Sequence, residues 1–201
     1  MRGRIGGSVP VLRGARVTLR PPAPSDADDA RRIGMHPEIW RCFGEDVGEW
    51  RELTAEEARE AVARLAPADG KLDWVIDTGT GFVGTATLHS PDPAARSAAY
   101  AIGILEPDQL GHGLGTETTR LVLAHAFNDL DLAALTVRVL EFNARAIACY
   151  AGAGFVFDHR ESDAVTLDGT SCADVIMRLD AERYLRLAPT WTAATEPPEL
   201  Y

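Results

Sequence analysis

Glu106-Pro107-Asp108-Gln109-Leu110-Gly111-His112-Gly113-Leu114-Gly115-Thr116-Glu117 is the stretch on which the fold turns. Three alternate glycines stand between an expected strand, residues 98–105, and a run with helical spacing at Thr118, Leu121, Val122, His125 and Ala126. Glycine admits positive φ and leaves its backbone N–H unshielded, and the helix behind it carries a partial positive charge at its N-terminus. Together these suit a pyrophosphate. A tight strand-to-helix turn without a ligand is the alternative reading. A Walker loop would need Gly-Lys followed by Ser or Thr, and a dinucleotide fingerprint would need its third glycine where Thr116 stands.

Upstream of the loop, residues 72–77 and 82–89 read as two strands of an antiparallel hairpin around Thr78-Gly79-Thr80-Gly81. A first strand is expected over residues 15–20, stopped by Pro21-Pro22, and a helix capped by Ser25 runs to about Gly34. Thr54 with Glu57 three residues on is a capping box that opens a helix to about Leu65, followed by a turn at Pro67–Gly70. Downstream, the helix from Thr116 to Asn128 leads to a strand at 135–140, and Asn143 caps a short helix ending near Tyr150. Two last strands, 155–161 and 172–179, flank a turn at Asp168-Gly169. A helix joining the strands at 98–105 and 135–140 implies one parallel crossover in an otherwise antiparallel sheet. One domain is expected over residues 15–187, with a flexible segment at 1–14 and a tail at 188–201.

The chain has 201 residues and a formal charge of −10, which disfavours binding to nucleic acid or an anionic membrane and suits a cationic partner. No run of about 18 or more apolar residues is present, and a cytoplasmic protein is expected. Cys42, Cys149 and Cys172 have neither disulfide nor zinc spacing, so no metal site is expected.

Three segments resemble the GNAT superfamily of acyl-CoA transferases, especially its ribosomal-protein N-terminal acetyltransferases. Gly111-His112-Gly113-Leu114-Gly115-Thr116-Glu117 is similar to the family's G-K-G-x-G/A-T-E loop. Val137 to Tyr150, closed by Gly152-Ala153-Gly154-Phe155, is similar to its strand, Asn-x-x-Ala-Ile, Tyr and Gly-Phe sequence. Leu19-Arg20-Pro21 with His36-Pro37-Glu38 resembles its opening. One departure is Leu110, where the superfamily has Gln or Arg. The resemblance implies an α/β (α+β) fold: a mostly antiparallel sheet of six to seven strands with one splayed parallel pair, flanked by four to five helices.

It also implies acetyl-CoA as co-substrate and transfer of its acetyl group to a primary amine by direct attack in a ternary complex. The acceptor would be a small-molecule amine or a protein N-terminus, and the protein a monomer or homodimer. The backbone of Gly111, His112, Gly113, Leu114, Gly115 and Thr116 would hold the pyrophosphate, with Ile104, Leu105 and Asn143 along the pantetheine arm. Tyr150 would protonate the leaving thiolate. Glu106 is the candidate general base, and Trp40, Glu45 and Asp46 the candidate acceptor site. Another acyl donor such as succinyl-CoA, or a silent CoA-binding sensor, is the alternative.

Overall fold

The computed structural model describes residues 5–66 and 68–193. An eight-stranded sheet runs β1 (Leu12–Arg13), β2 (Thr18–Arg20), β3 (Leu72–Asp77), β4 (Phe82–Asp92), β5 (Ser97–Ile104), β6 (Ala134–Leu140), β8 (Thr170–Asp180), β7 (Val156–Leu167). The described helices are α1 (Asp26–Ile33), α2 (Pro37–Trp40), α3 (Ala55–Ala63), α4 (Leu114–Ala124), α5 (Ala144–Gly152) and α6 (Ala181–Ala193). Eight strands and six helices stand among the described residues where six to seven and four to five were expected, because a two-residue strand and a one-turn helix leave no periodicity to read and the tail expected from residue 188 takes in the end of α6.

Alternation divides the sheet between two cores. One face, with Leu19, Trp74, Ile76, Leu88 and Leu135, carries the main core under α4 and α5. The other buries Val75 and Phe82 against Ala27, Ala30 and Ile33 of α1 and Ala58 and Val62 of α3. Removing such side chains from water is the main favourable contribution to folding.

Two side chains are buried within the segment expected to be flexible, residues 1–14. Ile5 and Val9 are buried, and Trp74 Nε1 donates to the Pro10 carbonyl at 2.8 Å. Two isolated apolar residues suffice to pin the segment, but they form no pattern. At the other end α6 continues through Ala193, and its Tyr184 stacks on Phe127 at 4.8 Å. The expected turn residue Pro67 and the tail beyond 193 lie outside the described residues.

Ser25 does not cap α1: it is itself in helical backbone and makes no capping hydrogen bond. The local work falls to buried Asp26, which accepts from Ala23 N at 2.7 Å and pairs with Arg20 at 2.6 Å. Thr54 and Glu57 do form the capping box, and Arg51 grips Glu57 at 2.8 Å. Those bonds hold the Glu57 carboxyl down to about 2. A carboxyl depressed in the folded state adds stability above its ordinary value that is lost as pH falls towards about 2. Thr54→Ala is expected to cost about 1 kcal/mol, a melting-point loss of roughly 2–4 °C readable by thermal denaturation.

The strands β5 and β6 position the site. They pair in parallel only at Ser97↔Ala134, Ala98↔Leu135 and Ala99↔Thr136. Beyond that point β5 stays with β4 as far as Gly84↔Ile104, and β6 stays with β8 as far as Leu140↔Asp174. The two middle strands therefore diverge and leave unpaired backbone facing the gap.

Candidate active site

A cavity of about 360 Å³ occupies this gap. Its walls come from β5 (Ile102, Gly103, Ile104), the glycine loop with the start of α4 (Gly111 and Gly113 to Thr116), and α5 with its cap (Asn143, Arg145, Cys149, Tyr150). Its remaining side is residues 38–43, with Glu38, Ile39, Cys42 and Phe43.

Gly111 and Gly113 both take positive φ, +79° and +77°. Gly113 is the N-cap of α4 and offers no side chain to satisfy the helix. The first helical bond runs from Glu117 N to the Gly113 carbonyl at 3.1 Å, so the amides of Leu114, Gly115 and Thr116 precede the first intrahelical donor and have no carbonyl within the helix to pair with. α4 starts two residues earlier than expected from the sequence, which adds the Leu114 and Gly115 amides to the uncapped turn.

Arg16, just before β2, braces this loop from outside. Its backbone N–H and Nε both donate to the Glu117 carboxylate at 2.8 Å, and its Nη1 reaches the His112 carbonyl. Hydrogen bonds from Arg16 outweigh the effect of burial and lower the pKa of Glu117. Arg16 was not singled out in the sequence because its partners lie a hundred residues away.

Tyr150 sits in the cavity wall, 4% exposed, with its ring edge-on to Tyr100 at 6.2 Å and Phe155 at 5.7 Å. Burial pushes its phenol well above the ordinary range, with the charge of nearby Cys149 acting the same way and a backbone hydrogen bond from Ile102 opposing. The hydroxyl therefore keeps its proton across the working pH range. Tyr100 is also buried, but its hydroxyl lies 3.1 Å from Thr119 Oγ1, which itself donates to the Gly115 carbonyl at 2.8 Å. Tyr100 does not line the cavity.

Asn143 Oδ1 accepts from Ala146 N at 3.1 Å, so it caps α5 while lining the cavity. Arg145 lines it as well and was missed in the sequence, where it reads as an ordinary helix surface residue. The cavity wall thus includes Ile104, Gly111, Gly113, Leu114, Gly115, Thr116, Asn143 and Tyr150 of the expected residues.

Other expected residues lie elsewhere. Leu105 and His112 flank the wall without joining it, and Leu105 packs on the core under α1 and α3. Glu106 is outside the cavity, and its carboxylate is bound by Arg32 Nη1 at 2.7 Å. Trp40 and Glu45 line a second cavity of about 410 Å³ between α1, α3 and β4. Asp46 lines neither cavity and accepts from Gly48 N at 3.2 Å. The reason is helical spacing: α2 and the 3₁₀ turn at Arg41–Phe43 put residues 38, 39, 42 and 43 on the side of the diverging strands and Trp40 on the other.

The family model for the acetyltransferase (GNAT) domain matches residues 16–156. Aminoglycoside N(6')-acetyltransferase type 1 of Serratia marcescens is 34% identical over 97 residues, 48% of this chain and 46% of that protein. This chain thus spans less than half the length of that relative. Two solved structures share the fold: RimJ of Mycobacterium smegmatis in complex with CoA-disulfide, and spermidine N-acetyltransferase of Vibrio cholerae in complex with CoA and spermine. The first superposes with a TM-score of 0.75 at 22% identity, over 94% of this chain and 97% of its own. The second gives 0.71 at 20% identity, over 86% and 99%. With its parallel splay and glycine loop, and with the family match extending over most of the sequence, this chain belongs to the GNAT acetyltransferase family.

Proposed function

We propose that the protein transfers an acetyl group from acetyl-CoA to a primary amine, in one step, within a ternary complex. The observation that carries this is a single cavity bounded by an uncapped, glycine-opened helix N-terminus, two diverging strands and a buried neutral tyrosine. The first suits the pyrophosphate, the second offers strand-like hydrogen bonds to the pantetheine amides, and the third faces the place where a thiolate would leave.

The chemistry needs little else. A thioester already has a good leaving group, so orientation of the amine and protonation of the sulfur supply the rate enhancement. The nitrogen attacks the carbonyl carbon, the carbon–sulfur bond breaks, the Tyr150 proton goes to sulfur, the ammonium proton leaves to solvent, and solvent returns a proton to the Tyr150 phenolate. Arg145, a cation on the α5 wall, is the partner for a phosphate of the donor. Glu106 is not assigned as base here, because Arg32 holds its carboxylate away from the cavity.

The relatives that act on aminoglycosides and spermidine favour a small polyamine-like acceptor, and the RimJ-like fold keeps a protein N-terminus on the panel. A thiol-release assay decides the matter, with acetyl-CoA and succinyl-CoA set against aminoglycosides, polyamines and N-terminal peptides. Release of CoA from acetyl-CoA with at least one amine class is expected. Binding of acetyl-CoA without turnover on any amine would replace the enzyme with a CoA-binding sensor.

The raised phenol pKa gives a further expectation. Proton donation does not fade as pH rises through about 10, where an ordinary phenol ionises. The turnover number should therefore rise with pH as the acceptor amine deprotonates and then hold level to about pH 10. A fall beginning below about pH 9, in protein shown by circular dichroism to remain folded, would assign the proton donor to a group other than Tyr150.

A further inference from the structure

The cavity lies in the gap between β5 and β6 and is walled by elements from both faces of the sheet, which gives it two differently built sides. Val75, Thr85 and Gly103 stand side by side on β3, β4 and β5, so they share one face, the one covered by α1 and α3. Phe43 lies over that face, since a Cβ on Gly103 would come within 2.6 Å of its Cζ. Residues 38–43 thus close the cavity from the side opposite α4 and α5. If the donor enters along the glycine loop, the acceptor has the other mouth.

Glu38 is the one carboxylate among the described residues lining this cavity. It is also unpaired there, with no ion pair or side-chain hydrogen bond among the described residues. The neighbouring acids differ: Glu106 is held by Arg32 at 2.7 Å, Asp168 by Arg41 at 2.6 Å, and Glu117 by Arg16 at 2.8 Å. Glu38 and Cys42 are a helical turn apart, and the Cys42 thiol donates to the Glu38 carbonyl at 3.3 Å. Burial raises the Cys42 pKa, Arg145 opposes, and Glu38 adds to the rise, so the thiol stays neutral and serves as wall and not nucleophile.

We propose that Glu38 is the specificity-determining carboxylate of the acceptor mouth, holding a distal ammonium of a polycationic amine while a separate, neutral amine nitrogen of the same molecule attacks the acyl carbon. This rests on the acetyl-transfer reading above. A carboxylate beside the attacking nitrogen would favour its protonated, unreactive form, whereas one at the mouth adds binding without that penalty. The acidic residues further along, Glu45 and Asp46, lie outside this cavity.

The test compares a linear diamine with a monoamine of the same length on wild-type protein, Glu38→Gln and Glu38→Asp. Steady-state thiol release is measured beside calorimetric binding of each amine to the CoA-loaded protein. Glu38→Gln should weaken diamine binding and raise its KM by about 10- to 100-fold, the usual weight of a charge-assisted contact. The diamine kcat, all monoamine constants and the acetyl-CoA affinity should hold, and Glu38→Asp should recover part of the loss. Equal losses for diamine and monoamine, or unchanged diamine binding in Glu38→Gln, would overturn the proposal. Because the binding measurement needs no turnover, it judges Glu38 even if wild-type protein proves silent, an outcome that would count against the transfer reading alone.

Discussion

Tyr150→Phe is expected to lower kcat by roughly 10²- to 10⁴-fold while leaving acetyl-CoA affinity near that of the wild type. In the proposed reaction the hydroxyl meets a sulfur that becomes basic only as the carbon–sulfur bond breaks, so its contribution belongs to the transition state and not to ground-state binding. The ring is retained, and with it the edge-on packing against Tyr100 and Phe155, so the fold should persist. A thiolate whose conjugate acid has a pKa near about 8.5 can also leave unaided, which places the loss towards the lower end of that range. Steady-state rates at saturating acetyl-CoA, with titration of acetyl-CoA in the same protein, check both halves. Full activity in the Phe variant would make Tyr150 a core aromatic and leave the sulfur to be protonated by water. The assay should stay below about pH 10, because above it the unfolded chain ionises its tyrosines while the native state holds Tyr100 and Tyr150 neutral, so stability declines as pH rises.

What was legible in the sequence was local. The glycine loop announced itself because three glycines interrupt a change of period, and the structure places Gly111 and Gly113 at positive φ as that reading requires. Asn143 was legible as a cap because it stands directly before the helix it starts, whereas Tyr150 was singled out by the family resemblance alone. The parallel crossover followed from one helix joining two strands. What was not legible depends on contacts between distant segments. Arg16 meets Glu117 across the loop, Arg32 on α1 pairs with Glu106, and Phe43 reaches Gly103. Trp40, Glu45 and Asp46 were grouped by composition, yet the single turn of α2 sends Trp40 to the cavity under α1 and α3 and leaves Glu38, Cys42 and Phe43 at the diverging strands. A helix this short has no periodicity of its own, so its two faces cannot be told apart until both neighbours are in place.

Gly113→Val should remove acetyl-CoA binding from an otherwise folded protein. Gly113 has φ of +77°, where a β-branched residue costs on the order of 1–3 kcal/mol, and its Cβ would meet the Arg16 guanidinium at 3.1 Å. The strain is relieved by rotating the loop, which turns away the Leu114, Gly115 and Thr116 amides and disturbs the Arg16 contact with the His112 carbonyl. In wild-type protein, acetyl-CoA at a hundred times its dissociation constant stabilises the native state by about 2.7 kcal/mol. For a chain of 201 residues that corresponds to a melting-point rise of roughly 5–10 °C. The variant should start a few degrees lower and show almost no rise. Gly152→Ala is the matched control, since a Cβ there meets nothing within 4 Å, and it should keep the full shift. A Gly113→Val protein that binds acetyl-CoA with unchanged affinity would detach the loop from the donor and leave the diverging strands to hold it alone.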